Sequence, residues 1–271
     1  MSIKNLKLVV RCADYGMTDS ITDGALKAIR DGILTDVGLM TNSPAGLRAA
    51  VLIRQYPYVS VGQDLNLVSG VPATDPALIP SLVGSDGRFI PSVERNKDPD
   101  SDVAYENAYL EFDNQIKRFI SLVGKKPSYL AGHSFWTSTI EAVTNDLRKK
   151  YDLNADCFAT NELYIGKRWY YSNKEVAFGN SKPVYTLEEQ AQTDVEQFVL
   201  SGGCQFDGHE YAMLATHCGY CDGELMDMST FSVIRGRELE MLCSPRIRRW
   251  VNDNQIELIN FDQYWTQRES N

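Results

Sequence analysis

The stretch LKLVVRCADYGMTDSITDGALKAIRDG, residues 6–32, contains the unit from which the fold is predicted. Leu6–Cys12 is a short apolar run, which is typical of a buried strand. Residues 18–32 follow with a helical pattern, in which Thr18 or Asp19 is the expected N-cap and Gly32 lies near the end. A buried strand followed by a helix is the repeating unit of a parallel α/β sheet.

The rest of the chain repeats this alternation of short apolar runs and longer helical patterns. Strands are expected at 33–41, 58–68, 128–132, 155–159, 210–216 and 256–261, and helices at 44–55, 102–123, 139–150, 187–200, 232–242 and 245–252. Two stretches interrupt the alternation, at about 69–100 and 160–183, and are expected to form long loops. We therefore predict a single α/β domain over residues 1–271, an irregular (β/α)7 barrel of the TIM type.

The net negative charge of the chain argues against some classes of binding partner. Asp and Glu number 36 against 27 Lys and Arg, a formal net charge of −9 over 271 residues. This argues against nucleic acid and against an anionic membrane surface, because both bind through basic residues. No run approaches 18 apolar residues, and the apolar start is too short for a signal peptide. A cytoplasmic protein with reduced cysteines and a small, neutral substrate is expected.

Polar residues follow several of the predicted strands, where the active sites of such barrels lie. Asp14 follows the first strand, Asp64 lies within the third, His133 follows the fourth, and His217 follows the strand at 210–216. Taken singly, Asp14 is typical of a turn or helix cap and each histidine of a hydrogen-bonded core residue. Taken together, two carboxylates and one imidazole would suit a divalent metal ion, and the second imidazole could act as a general acid.

Five stretches carry a resemblance to a known family. They are CADYGMT at 12–18, GQDLNLVSGVP at 62–72, AGHSFWT at 131–137, HCGYCD at 217–222, and a helix with Arg235, Glu238, Leu239 and Leu242. In this order the chain resembles the YdjC-type carbohydrate deacetylases, the family that includes chitooligosaccharide deacetylase. The resemblance implies an irregular barrel, often dimeric, with one divalent metal held by an Asp and two His, that removes an N-acetyl group from a sugar.

The resemblance also assigns roles to individual residues. Asp14 and His133 fall on metal-ligand positions, and Asp64 stands where the family has its second His ligand. This exchange favours Mg²⁺ or Mn²⁺ over Zn²⁺, because carboxylate oxygens suit harder ions. His217 falls on the position of a candidate proton donor, while Ala13 replaces the family's candidate base. The predicted catalytic residues are His217 and Asp14, and the predicted substrate-binding residues are Asn66, Trp136 and Arg235.

Two other functions stay open at this level. The loss of the base at Ala13 is compatible with a non-hydrolytic, carbohydrate-binding member on the same barrel. Cys218-Gly219-Tyr220-Cys221 is a C-x-x-C pair that could be a dithiol switch or half of a zinc site. The sequence contains no glycine-rich nucleotide loop and no G-x-S-x-G elbow of a serine hydrolase. We expect a metal-dependent hydrolase that acts on a small acylated carbohydrate, as a homodimer.

Overall fold

The computed structural model describes residues 3, 5–97, 102–154, 163–169 and 186–269. The strand predicted at 155–159 and most of the loop predicted at 160–183 lie outside the described residues.

The described elements alternate between strands and helices along most of the chain. They are β1 Lys7–Tyr15, α1 Asp19–Asp31, β2 Asp36–Leu39, α2 Gly46–Ile53, β3 Ser60–Leu65, α3 Ser92–Arg95, α4 Tyr105–Val123, β4 Leu130–Gly132, α5 Ser138–Tyr151, β5 Tyr164–Ile165, α6 Leu187–Gln192, α7 Val195–Leu200, β6 Tyr211–Thr216, α8 Gly223–Met228, α9 Val233–Leu242, α10 Pro245–Asp253, β7 Glu257–Ile259 and α11 Phe261–Glu269.

All the pairings among the described strands are parallel, and they form one curled sheet. The strand order is β4-β3-β2-β1-β6-β5, with β7 paired to the start of β1. β1 is central: Arg11 lies opposite Asp36 of β2, and Lys7–Cys12 run beside Tyr211–Thr216 of β6. Among the described strands this sheet is curled into a half-barrel whose two outer strands are β4 and β5. The α/β fold of the TIM-like type is thus confirmed.

The core lies on both faces of this sheet. The outer face of β1, with Leu8 and Val10, packs under the helices in the largest cluster of buried apolar side chains. The inner face has its own cluster, which includes Val9, Tyr129 and Met213. Successive strand residues point to opposite faces, so Arg11, two residues after Val9, is placed on the inner face of the curled sheet.

Local hydrogen bonds explain where the helices begin and end. The Thr18 hydroxyl accepts from the backbone N–H of Ile21 and caps α1, as predicted. The helix predicted at 187–200 is in fact two, because the Asp194 side chain accepts from the N–H of Gln197 and starts α7 anew. None of the described helices is both long and apolar enough to cross a membrane.

Candidate functional site at the ends of the strands

Asp14 is placed by a break in the regularity of β1. The pairing of β1 with β2 shifts register between Cys12 and Tyr15. Asp14 has φ +63°, in the left-handed region that residues other than Gly, Asn and Asp seldom adopt. Its carbonyl accepts from the N–H of Met17 at 2.9 Å, which closes the turn before α1. The strand therefore ends in a bulge that presents the Asp14 carboxylate at the mouth of the sheet.

The Asp14 carboxylate is held on both oxygens. His133 Nδ1 lies 2.7 Å from Oδ1, and Arg235 Nη2 donates to Oδ2 at 2.8 Å. Burial alone would raise the pKa of Asp14, but the charges of His133 and Arg235 outweigh it and hold that pKa well below its usual range. Asp14 is therefore ionised at neutral pH.

Asp64 is the second carboxylate of the site and is also engaged on both oxygens. The Arg11 guanidinium donates to Oδ1, and the backbone N–H of Asp14 donates to Oδ2 at 2.9 Å. Arg11 Nε donates in turn to the Tyr129 hydroxyl at 3.1 Å. The Asp64 carboxylate lies over Gly38 of β2, where an added Cβ would clash with both carboxylate oxygens. A side chain at residue 38 would displace Asp64.

His217 follows β6 and is fixed through its backbone. Its N–H donates to the Glu238 carboxylate, and its carbonyl accepts from Arg235 Nη1 at 3.3 Å. The ring packs edge-on against Phe231, with centroids 5.1 Å apart. Burial lowers the pKa of His217 well below its usual value, although the negative charge of Asp14 acts in the opposite direction. The imidazole is therefore neutral at neutral pH.

The three predicted substrate-binding residues differ in how accessible they are. Asn66 is buried, and its Oδ1 accepts from the N–H groups of Val68 and Ser69, so it shapes the turn after β3. Arg235 is 2% exposed and links Asp14 to the His217 loop. Trp136 is 42% exposed and lies against Gly132, where an added Cβ would clash with the indole ring. Only Trp136 therefore presents a large surface to solvent.

The residues predicted to bind a metal lie together, but their arrangement does not fit an ion with three protein ligands. Asp14 and His133 bond to each other and Asp14 also accepts from Arg235, while the two oxygens of Asp64 accept from Arg11 and from the Asp14 N–H. Within the described ranges, no group of three or more His, Cys, Asp or Glu side chains is arranged to hold a metal ion. The divalent ion inferred from the sequence therefore stays a prediction.

Three residues of the site received no role from the sequence. Arg11 and Gly38 set the position of Asp64, and Glu238 fixes the backbone of His217. The sequence does contain a feature that indicates a role for Arg11, because an arginine within a largely apolar strand needs a buried partner for its charge. Burial raises the pKa of Glu238 to about 8. The sequence indicates Glu238 only as part of the helix that resembles the family.

A cavity of about 260 Å³ opens on the same rim of the sheet. It is lined by residues 42–44 after β2, residues 70–73 after β3, and the side chains of Arg88 and Arg118. It adjoins the site, because the Ser43 hydroxyl donates to the carbonyl of Gly16 at 2.6 Å, two residues after Asp14.

The described cysteines form no disulfide. Cys218 is fully buried, and burial raises the pKa of its thiol well above the usual value. Cys221, the other half of the C-x-x-C pair, is exposed. A buried thiol with a raised pKa is a poor nucleophile and a poor metal ligand, so this site gives no support to redox chemistry at the pair.

The fold and the strand-end cluster define an α/β barrel protein with a polar site at the carboxyl edge of its parallel sheet. The family model described as "YdjC-like protein" matches residues 7–253, and the chain belongs to this family. Carbohydrate deacetylase 2 of Listeria innocua serovar 6a is 31% identical over 258 residues, which cover 94% of this chain and 98% of the relative. Carbohydrate deacetylase of Clostridium beijerinckii is 25% identical over 94% of this chain and 99% of its own.

A solved structure supports the same fold. A protein from Enterococcus faecalis V583, described in connection with cellobiose-phosphate cleavage, superposes with a TM-score of 0.74. The match covers 96% of this chain and 99% of that one at 22% sequence identity. The likeness shows that the two chains share a fold.

Proposed function

We propose that the protein is a carbohydrate deacetylase that hydrolyses the acyl group, in particular an N-acetyl group, of a small amino sugar or oligosaccharide. Two relatives that match almost the whole chain are named carbohydrate deacetylases. The observation that carries the proposal is the strand-end cluster, in which the ionised Asp14 lies between His133 and Arg235 and the same arginine reaches the His217 backbone.

His217 is proposed to move the proton. A neutral imidazole can take a proton from the attacking water and then return it to the leaving nitrogen, as one histidine does in serine proteases. His217 would then supply the base that this chain lacks at position 13, where Ala13 replaces the family's candidate base. The negative charge of Asp14 stabilises the imidazolium that forms, because it favours the protonated state of His217.

The sugar is proposed to bind across the rim of the sheet. The exposed face of Trp136 can stack on a pyranose ring, since aromatic side chains combine a large apolar surface with a rigid shape. The cavity beside residues 42–44 is open to the part of the sugar that does not react. Because Arg235 is bonded to Asp14 and two backbone carbonyls, we assign it to positioning the site rather than to touching the sugar.

Acetate release from N-acetylated chitooligosaccharides tests the activity, in assays with Mg²⁺, Mn²⁺ or Zn²⁺ and with a chelator. His217→Gln is expected to lower kcat by about 100-fold or more, the usual contribution of a positioned acid or base. His209→Gln is the matched control, because His209 is exposed and precedes β6 at the opposite edge of the sheet. Ala13→Asp, which restores the family's acidic pair, is expected to raise turnover. No acetate from the wild type or Ala13→Asp, with both folded, would refute the proposal.

One observation favours a second candidate, a carbohydrate-binding protein without hydrolytic activity. Asp64 replaces a His of the family and is bonded to Arg11 and to the Asp14 N–H, and position 13 lacks a carboxylate, so two groups that the resemblance assigns to hydrolysis are absent here. Calorimetric binding of the same oligosaccharides without release of acetate would favour this candidate. The homodimer and the cytoplasmic location inferred from the sequence stay predictions.

A further inference from the structure

Arg11 places a permanent positive charge inside the sheet. It lies in the middle of β1 and is 2% exposed. Its guanidinium pairs with Asp64 on β3, donates to the Tyr129 hydroxyl, and lies over the Tyr129 ring, 5.2 Å from the centroid. An arginine does not lose its charge in a protein, so Asp64 faces a cation at every accessible pH.

The pair leaves Asp64 little capacity to bind anything else. One carboxylate oxygen faces the guanidinium, and the other accepts from the backbone N–H of Asp14. Each oxygen keeps a second lone pair, but a divalent ion that used it would compete with these bonds for the position of the carboxylate. It would also lie close to the guanidinium, and like charges repel strongly where water is excluded.

The hydrogen bond from the Asp14 N–H lets Asp64 fix the backbone of Asp14. Asp14 has a left-handed backbone, which is held only where its surroundings favour it. Asp64 fixes that backbone from one side, while His133 and Arg235 hold the Asp14 side chain from the other. The chain of contacts therefore runs from Tyr129 through Arg11 and Asp64 to Asp14.

We infer that the Arg11 guanidinium supplies the permanent positive charge of this site. Asp64 is its counter-ion and a positioning residue for Asp14 rather than a metal ligand. It follows that Asp64 contributes nothing to the binding of divalent ions by the wild type. It also follows that removing the charge of Arg11 frees Asp64 to become a ligand. The inference does not depend on the proposed function, because metal binding can be measured without turnover.

The test is Mn²⁺ binding, followed by the electron paramagnetic resonance of the unbound ion and by calorimetry. The variants are Arg11→Met, Asp64→Asn and the double Arg11→Met/Asp64→Asn. Arg249→Met is the matched control, since it makes the same substitution and charge change at an exposed arginine of α10. Circular dichroism and urea unfolding confirm that each variant folds.

We expect Asp64→Asn to bind Mn²⁺ as the wild type does, because the amide oxygen of Asn can still accept from the Asp14 N–H and keep that backbone in place. Arg249→Met should also bind it as the wild type does. Arg11→Met should bind it about 10- to 100-fold more tightly, the range by which groups around a metal site alter affinity, and the double variant should lose that gain. The inference is overturned if Asp64→Asn weakens Mn²⁺ binding of the wild type tenfold or more, or if Arg11→Met brings no gain. Should Arg11→Met fail to fold, the comparison of the wild type with Asp64→Asn decides by itself.

Discussion

Replacing Arg235 by methionine is expected to destabilise the protein strongly, because the substitution leaves a buried charge without its partner. The side chains of Arg235 and Asp14 are 3% and 5% exposed. Arg235 Nη2 donates to Asp14, Nη1 to the carbonyl of His217, and Nε to the carbonyl of Phe231 at 2.7 Å. Removing one member of a buried ion pair typically costs about 3–5 kcal/mol.

The expected change is large enough for standard assays. In a protein of this size about 1 kcal/mol corresponds to 2–4 °C in Tm, so the melting temperature should fall by roughly 6–20 °C. Urea unfolding followed by circular dichroism measures the free energy directly. Adding Asp14→Asn to the Arg235→Met background should recover part of the loss, since the carboxylate is then neutral and no longer needs the guanidinium.

The same helix provides a matched control. Arg237, two residues later on α9, pairs with Glu240 while its side chain is 45% exposed. Arg237→Met removes the same charge but should cost no more than about 1 kcal/mol, as is usual for exposed ion pairs. If Arg235→Met is no more destabilising than Arg237→Met, the buried pair does not hold the site together. As a positioning residue, Arg235 should also be partly replaceable by lysine in turnover assays.

Two further predictions concern residues beneath the site. Burial raises the pKa of Asp36 to about 8, above its unfolded value of 3.8. The protonated carboxyl therefore contributes its full stability below about pH 4, and this contribution is lost as the pH rises towards 8. Asp36→Asn should gain stability relative to the wild type between pH 5 and 8, by up to several kcal/mol in urea unfolding, and a parallel pH dependence of the two proteins would contradict this. Gly38→Ala should cost about 1–3 kcal/mol because its Cβ would meet the Asp64 carboxylate. Gly236→Ala on α9 is the control, since its Cβ meets nothing within 4 Å, and an equal effect of the two substitutions would exclude the clash.

Metal binding and hydrolytic activity can be measured independently of each other in this protein. The divalent ion is a prediction from the sequence, and the bonds of Asp64 to Arg11 and to the Asp14 N–H do not fit a site with three protein ligands. A hydrolase that depends on added metal, and whose Mn²⁺ binding is unchanged in Asp64→Asn, would satisfy both the proposed function and the role inferred for Arg11. Measuring turnover and Mn²⁺ binding on the same variants distinguishes this outcome from a protein that only binds sugars.

The sequence by itself determined the elements that depend on local forces. The first strand and helix follow from apolar periodicity and from the Thr18 cap, which bonds a residue only three positions away. The order of the strand-end motifs was enough to indicate the family. Because active sites of such barrels lie at strand ends, the sequence also predicted that Asp14, Asp64 and His133 share one region.

Only the tertiary structure decided how those side chains are paired. Arg235 lies 221 residues from Asp14 along the chain, and Arg11 lies 53 residues from Asp64. Whether a carboxylate meets a metal, a guanidinium or a backbone N–H depends on sheet register, on the bulge at the end of β1, and on the space left by Gly38. These are consequences of packing between distant segments, and no local pattern of residues encodes them.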